Sequence, residues 1–339
     1  SEVMNLMSDK SQAKDVMKEA GVPVIMGSDG ALKDLEEAKK VAQEISYPVI
    51  IKAAAGGGGR GMRVVESEEM LANAYLAAES EALSAFGDGT IYMEKFIKNP
   101  KHIEVQILAD KHGNVVHIGE RDCSAQRRQQ KLIEEAPAVV LSEEVRERLL
   151  QTAVKAAKHI GYVGAGTFEF LLDAINKDFY FLEMNTRLQV EHTVSEMISG
   201  LDLVEWMIRI AEGEKLPSQE EITFNGHSIE CRITAEDPKK FFPCPGKITT
   251  WIAPGGAHVR LDTQAYCNYV VPMFYDSMIG KLVVWAESRE KAIKRMHRAL
   301  KEFKVEGIKT TIPFHIEMME NQDFKQSKIH TKYLEQHLQ

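Results

Sequence analysis

The hydrophobic and polar positions of this chain follow two periods, one typical of helices and one typical of strands. Apolar residues recur at helical spacing over residues 8–20, 32–45, 67–86, 142–160 and 288–303. Alternation or a short apolar run predicts strands at 49–52, 62–65, 91–96, 102–108, 115–119, 164–172, 179–182, 228–234, 247–252 and 281–285. Because these strands do not alternate regularly with helices, we predict an α+β fold with antiparallel sheets.

Three polar side chains follow the apolar run of residues 179–182. Glu183, Asn185 and Arg187 are two residues apart, so an extended chain places them on one face. Burying such groups without partners costs on the order of 2–7 kcal/mol each. Partners are therefore implied, and a divalent cation with an anionic substrate satisfies all three.

A second carboxylate is predicted to lie across from this strand end. If the turn at 175–178 joins two strands, Glu169 lies opposite Glu183 or one residue away, with Cβ atoms about 4.5–5.5 Å apart. A cation between them relieves their repulsion, and Asn185 adds an oxygen ligand that favours Mg²⁺ or Mn²⁺ over zinc. The alternative is a salt-bridged surface hairpin in which Arg187 neutralises the acids, and the pattern alone leaves both open.

Four consecutive glycines, Gly56 to Gly59, join the strands predicted at 49–52 and 62–65. Glycine lets backbone N–H groups approach phosphate oxygens, and Lys52 on the incoming strand is a candidate phosphate ligand. A strand follows the loop where a Walker or dinucleotide motif requires a helix. The segment therefore indicates a glycine hairpin over nucleotide phosphates, and the alternative is a flexible surface loop.

Other polar residues are less informative by themselves. The dense polar segment 120–131 is, on charge alone, better explained as a solvated loop, and Glu230 with Arg232 as a surface ion pair. Lone histidines such as His102 and His192 are usually structural.

Composition excludes some classes of function. The chain has 339 residues, 44% of them hydrophobic, and a net charge of −8, which argues against nucleic-acid binding as the main function. Its four cysteines show no CxxC spacing, and no apolar run approaches the roughly 20 residues that span a bilayer. The amino-terminal residues lack the features of a signal peptide. We expect no membrane partner and a cytoplasmic location, or the mitochondrial matrix or plastid in a eukaryote.

Taken together, these segments resemble the biotin carboxylases of the ATP-grasp superfamily. The matching stretches are 49–65, 92–110, 119–137, 164–200, 229–238 and 269–281. The resemblance implies an ATP-grasp fold, a small glycine-loop lid on a larger antiparallel-sheet body, followed by a biotin carboxylase C-terminal domain. The implied divisions are a linker helix region at 1–23, the lid at 24–96, the body at 97–212 and the C-terminal domain at 213–339.

The resemblance also implies roles for individual residues. The implied ATP-binding residues are Lys10, Lys52, Gly57, Gly58, Gly59, Met62, Glu94, Lys95, Ile97, His102, Gln126 and Leu171. Two Mg²⁺ or Mn²⁺ ions would be held by Glu169, Glu183 and Asn185. Bicarbonate would be held by Lys131, Arg187, Gln189 and Val190. Glu191 would be the base, and Arg232 and Asp276 would face biotin. The implied catalytic residues are Lys131, Arg187, Glu191 and Arg232.

The implied reaction is ATP-dependent carboxylation of biotin by bicarbonate, through carboxyphosphate. No Ala-Met-Lys-Met attachment motif occurs here, so biotin would be borne by a separate carrier protein or domain that also serves a carboxyltransferase component. Members of the family begin with a Rossmann-like domain that this chain lacks, and we expect a homodimer when that domain is present. The alternatives are another ATP-grasp ligase, which joins a carboxylate to an amine, and a nucleotide-binding fragment without catalysis.

Overall fold

A computed structural model describes residues 2–8, 10–54 and 61–337, with the backbone alone at Lys10 and Ser11. The helices are α1 Glu2–Ser8, α2 Lys10–Glu19, α3 Leu35–Ile45, α4 Glu68–Phe86, α5 Glu143–His159, α6 His192–Ser199, α7 Leu203–Glu212, α8 Arg289–Glu302, α9 Ile312–Glu320, α10 Gln322–Lys325 and α11 Tyr333–His337. The strands are β1 Val49–Ala53, β2 Met62–Val65, β3 Ile91–Lys95, β4 Lys101–Ala109, β5 Val115–Arg127, β6 Gln130–Ala136, β7 Gly164–Asp173, β8 Asp178–Asn185, β9 His227–Thr234, β10 Gly246–Lys247, β11 Thr250–Ile252, β12 Val259–Asp262, β13 Val270–Val271, β14 Met278–Ala286 and β15 Lys304–Glu306.

The chain forms two compact units, and the smaller one is Pro23–Lys98. Its three-stranded antiparallel sheet has the order β2-β1-β3. Asp34 caps α3 by accepting a hydrogen bond from the backbone N–H of Glu37 at 2.8 Å. Apolar faces of α3 and α4 pack with the sheet into a core of their own, which includes Val49, Ile51 and Leu71.

The larger unit comprises Ser1–Val22 and Asn99–Gln339. An eight-stranded antiparallel sheet, in the order β12-β14-β9-β6-β5-β4-β7-β8, runs through it. The amphipathic helix α8 contributes Ile293, Met296 and Leu300 to a large apolar cluster with β9 and β14. Trp206 and Ile210 of α7 pack with residues of β4 and β5 in a second cluster.

The α+β fold with antiparallel sheets is confirmed, and most predicted elements lie within a few residues of the observed ones. The interpretation of 120–131 as a solvated loop is wrong. β5 continues to Arg127, its residues from Val116 to Gln126 are buried, and a two-residue turn leads into β6. The strand predicted at 247–252 is divided into β10 and β11, and α6 and α7 were not predicted.

The strand β8 contains a bulge at Leu182. Glu169 pairs with Glu183, but the next residue of β7, Phe170, pairs with Phe181, so Leu182 has no partner and is exposed. A bulge inserts one residue and changes the face of the side chains that follow. Phe181 and Met184 therefore both point into the core, and Glu183 lies on the opposite face.

Among the described residues, no helix is both long and apolar enough to cross a membrane.

Candidate active site

Four charged residues lie side by side across adjacent strands of the large sheet. The strand registers pair Arg121 of β5 with Glu104 of β4, Glu104 with Glu169 of β7, and Glu169 with Glu183 of β8. The predicted opposition of Glu169 and Glu183 is thus confirmed. This row brings three carboxylates together. Neighbouring positive charges, from Arg121 in the row and from Lys131 on β6, offset their repulsion.

Lys131 of β6 provides the central positive charge. Its ammonium donates to Glu191 at 2.7 Å, to Glu169 at 3.1 Å and to Glu104. Although burial lowers the pKa of Lys131, Glu104 and the other carboxylates raise it well above its usual range. For Glu104, burial raises the pKa, but Lys131 and Arg121 hold it down at about 2. Lys131 therefore remains charged at the meeting point of these acids.

Arg121 is fully buried, and its hydrogen bonds fix the position of its neighbours in the row. Its guanidinium donates to Glu104 at 3.0–3.1 Å, to Gln106 at 2.8 Å and to Gln189 at 2.8 Å. It also contacts Ser195 and Thr167. The amide of Gln189 in turn donates to Glu169 at 2.7 Å. Arg121, itself on β5, therefore fixes groups from β4, from β7, from α6 and from the segment before α6.

Glu169, Glu183 and Asn185 form the candidate metal site. The amide of Asn185 lies 2.8 Å from Glu169 and 3.4 Å from Glu183. Two opposed carboxylates with an amide oxygen are a donor set that fits Mg²⁺ or Mn²⁺. The alternative of a surface hairpin does not fit Glu169, which is only 4% exposed.

Glu191 lies between two cations. Its second oxygen accepts from Arg232 of β9 at 3.0 Å, and Arg232 also donates to Glu134 at 2.6 Å. The interpretation of Arg232 and Glu230 as a surface ion pair is wrong, because Arg232 pairs with Glu191 and Glu134, and Glu230 is fully buried.

Glu134 and Glu230 are directly opposed on β6 and β9, and both are 0% exposed. Each has one carboxylate oxygen without a hydrogen-bond partner, while the other oxygen of Glu230 accepts from Thr193. Burial raises the pKa of both carboxyl groups, the charge of Glu134 raises that of Glu230 further, and the charge of Glu191 raises that of Glu134. The pair therefore favours a shared proton.

His102 lies at the edge of the row. Its Nε2 is 2.8 Å from Glu169, without the alignment of a hydrogen bond, and 3.3 Å from Glu104. Burial lowers its pKa, but the two carboxylates raise it to about 9. Leu171 is paired with His102 across β4 and β7, and Gln126 is paired with Lys131 across β5 and β6.

Two predicted site residues lie away from this cluster. The prediction that Arg187 shares a strand face with Glu183 and Asn185 is wrong, because β8 ends at Asn185. The Arg187 side chain is exposed and donates to the carbonyl of Leu188 at 3.3 Å. Asp276 is exposed and accepts from the backbone of Met278.

The remaining bicarbonate candidate, Val190, makes its described hydrogen bond through its backbone. The carbonyl oxygen of Val190 accepts from the ammonium of Lys281 at 2.7 Å.

Apart from Lys10, which belongs to the larger unit, the remaining nucleotide candidates belong to the smaller unit. Lys52 of β1 pairs with Glu94 of β3, and Lys95 donates to the carbonyls of Ser46 and Tyr47. Met62 is exposed on β2, and Ile97 is buried. Gly57, Gly58, Gly59 and the side chain of Lys10 lie outside the described residues.

Three site residues were missed by the sequence analysis, namely Glu104, Arg121 and Glu134. The alternation of 102–108 placed Glu104 with His102 and Gln106 on one face. An acidic residue on the polar face of this alternating strand was the available signal for Glu104. Arg121 and Glu134 gave no comparable signal.

Comparisons with known proteins show the family of this chain. The family described as "Carbamoyl-phosphate synthase L chain, ATP binding domain" matches residues 9–219, and "Biotin carboxylase C-terminal domain" matches residues 230–336. A biotin carboxylase of Nostoc is 53% identical over 337 residues, which are 99% of this chain and 75% of the relative. The chain belongs to the biotin carboxylase family.

Solved structures of this family share the fold. A biotin carboxylase from Campylobacter jejuni, in complex with an ATP analogue, is 67% identical with a TM-score of 0.89, covering 99% of this chain and 75% of that one. The biotin carboxylase domain dimer of the Hydrogenobacter thermophilus 2-oxoglutarate carboxylase, in complex with MgADP, ADP and bicarbonate, is 55% identical. Its TM-score is 0.87, and the match covers 99% of this chain and 74% of that one. The relatives include subunits of larger carboxylases.

Proposed function

We propose that this biotin carboxylase uses ATP to carboxylate biotin with bicarbonate, through carboxyphosphate, giving ADP and phosphate. The observation that carries the proposal is Glu191, held at 2.7 Å from Lys131 and 3.0 Å from Arg232 beside the Glu169–Glu183 pair. This arrangement supports a base next to an anion site and a metal–nucleotide site beside the large sheet, which this reaction requires.

In the first step, Glu191 takes the proton of bicarbonate as a bicarbonate oxygen attacks the γ-phosphorus of ATP. Lys131 holds the bicarbonate oxygens, together with Gln189, the backbone of Val190 and Arg187, which reaches the substrate from its exposed position. Glu169, Glu183 and Asn185 would hold Mg²⁺ or Mn²⁺, which would supply positive charge to the phosphates. ADP leaves, and carboxyphosphate remains beside Lys131.

In the second step, carboxyphosphate breaks down to CO₂ and phosphate, and the phosphate takes the N–H proton of biotin. The negative charge moves to the ureido oxygen of biotin, which Arg232 stabilises while the nitrogen attacks CO₂. Asp276 is the second candidate for contacting biotin. Glu134 at 2.6 Å from Arg232 holds its guanidinium in place.

The candidate nucleotide-binding residues are those named in the sequence analysis. Lys52, Glu94, Lys95, Ile97, Met62, the glycines Gly57 to Gly59 and Lys10 are the candidates for the phosphates and adenine, with His102, Gln126 and Leu171 on the large sheet. The division into a linker helix, lid, body and C-terminal domain at 1–23, 24–96, 97–212 and 213–339 belongs to the same proposal.

The acceptor is proposed to be biotin on a carrier protein or domain, which then serves a carboxyltransferase component. The relatives that are subunits of larger carboxylases support such partners, and the dimer of the Hydrogenobacter domain supports a homodimer.

The test is ATP hydrolysis measured with and without bicarbonate and biotin. We expect ADP release that depends on bicarbonate and increases with biotin, and we expect Glu191→Gln to abolish it while ATP binding measured by calorimetry is retained. Glu212→Gln, on the exposed surface of α7, is the matched control. Undiminished turnover in Glu191→Gln contradicts the role of the base, and stimulation by an amine in place of biotin indicates a carboxylate–amine ligase.

A further inference from the structure

Three consecutive large apolar side chains are almost fully exposed in the segment before β14. Met273 is 72% exposed, Phe274 84% and Tyr275 80%. In a strand, neighbouring side chains point to opposite faces, so exposure of all three means that this turn directs them all to solvent. Exposed large apolar groups in a cluster mark a contact surface more often than isolated ones do.

The turn is held in place by polar contacts. Asp276 accepts from the backbone N–H of Met278 at 2.8 Å, and Ser277 donates to Glu236 and accepts from the backbone of Ala235 at 2.7 Å. Its apolar side chains are thus presented on an ordered backbone, which reduces the entropy that a partner must remove on binding.

A fourth exposed apolar residue belongs to the adjoining loop. Phe242 is 66% exposed, and its carbonyl accepts from the backbone of Asp237 at 2.9 Å, next to the Glu236 that contacts Ser277. We call Phe242, Met273, Phe274 and Tyr275 the Phe274 patch.

The sheet register places the Phe274 patch at the biotin end of the site. Lys281 pairs with Arg232, and Met278 pairs with Thr234, so β14 leads from Arg232 directly to the patch. Thr234 is two residues from Arg232, or about 7 Å along the strand. Phe274 is four residues before Met278, which extends at most about 14 Å.

We propose that the Phe274 patch is the docking surface for the protein that carries biotin. This inference rests on the proposed function. Biotin reaches Arg232 while attached to its carrier, so the carrier must contact the enzyme near this end of β9 and β14. The patch is an exposed apolar surface that adjoins that end, and its ordered aromatic side chains suit the centre of such an interface.

The test compares two acceptors, the biotinylated carrier protein and free biotin. We expect Phe274→Ser combined with Phe242→Ser to raise KM for the carrier about tenfold or more, since truncated interface anchors lose at least this factor. Turnover with free biotin and bicarbonate-dependent ATP hydrolysis should stay within about twofold of the unmodified protein, because neither substrate needs the patch. Ile175→Ser, at an 81% exposed position of the β7–β8 turn, is the matched control.

The outcomes separate this inference from the proposed function. If the unmodified protein shows no biotin-stimulated ADP release, the proposed function itself fails. If carrier and free biotin lose activity equally, the patch belongs to the biotin pocket, and the docking inference is overturned. An unchanged KM for the carrier also overturns the docking inference. This holds even if sedimentation shows that the variant has a different oligomeric state. Phe274→Leu, which keeps an apolar side chain, should retain most of the carrier affinity.

Discussion

Arg121 shows what a single residue contributes to this site. Its guanidinium is fully buried and donates to Glu104, Gln106 and Gln189. Glu104 is paired with Glu169 across β4 and β7, and Gln189 donates a hydrogen bond to Glu169. The position of this candidate metal ligand therefore depends on Arg121, for which no contact with substrate is proposed. Burial of this charge is tolerable only while its acceptors remain in place.

We expect Arg121→Met to destabilise the protein by about 3–5 kcal/mol, because it leaves Glu104 buried with less compensating charge. Urea unfolding followed by circular dichroism measures this change. Arg148→Met is the control, since Arg148 is a half-exposed arginine on α5 whose ion pair with Asp178 spans 3.8 Å. A loss in Arg121→Met no larger than in the control contradicts the buried-charge argument.

The sequence identified site residues where local spacing was enough. Spacing across the turn at 175–178 placed Glu169 opposite Glu183 or one residue away, and the bulge at Leu182 is what pairs Glu169 with Glu183. Glu104, Arg121 and Glu134 could not be found in this way. Their partners lie on strands far away in sequence, and the strand order of the sheet is not contained in local periodicity.

At the scale of elements, the β7–β8 hairpin is the candidate metal-binding unit. We expect Glu169→Gln combined with Glu183→Gln to weaken Mn²⁺–nucleotide binding tenfold or more, because two anionic ligands become neutral amides. Calorimetric titration of Mn²⁺ with ATP analogue measures it. Asp178→Asn, at the opposite end of β8, is the control. Intact Mn²⁺ affinity in the double variant would place the metal elsewhere.

The pairing of β6 with β9 makes stability depend on pH. Burial and the charges of neighbouring carboxylates raise the pKa of Glu134 and Glu230, so the folded state binds a proton that the unfolded chain releases at neutral pH. This contribution is present at low pH and is lost as the pH rises through the raised pKa.

We therefore expect Glu230→Gln to raise the melting temperature relative to the unmodified protein at pH 9, with a smaller difference at pH 6. The amide can still accept from Thr193, and it can donate to the unpartnered oxygen of Glu134. Thermal unfolding at both pH values measures this. A variant that is less stable than the unmodified protein at pH 9 argues against a shared proton.

The extent of β5 was predicted least well among the elements. Its segment 120–127 carries many charged and polar residues, which on composition alone indicates a loop. In the fold, Arg121, Asp122 and Ser124 are buried and hydrogen-bonded to residues of the neighbouring strand β4. Local polarity is misleading where a sheet supplies partners for buried charges.

For the whole molecule, each compact unit has its own apolar core. Leu71 of α4 is 0% exposed in the core of the smaller unit. We expect Leu71→Ala to cost that unit about 2–5 kcal/mol of stability, through the cavity it leaves. Hydrogen exchange should accelerate in 23–98 while protection in 99–337 is retained.

Leu76→Ala, at a 57% exposed position on the same helix, is the control and should leave exchange unchanged. Equal acceleration in both parts of the chain by Leu71→Ala would mean that they unfold as one cooperative unit.

The bulge at Leu182 divides β8 into two parts, in which residues of the same parity point to opposite faces of the sheet. Before it, odd-numbered residues such as Phe179 and Phe181 fill the core, and after it, odd-numbered residues such as Glu183 and Asn185 face the site. The number of residues in this strand is thus as decisive as their identity. Deleting or inserting one residue at this position would turn Glu183 and Asn185 toward the apolar core and Met184 toward the site, although every functional side chain would still be present in the sequence.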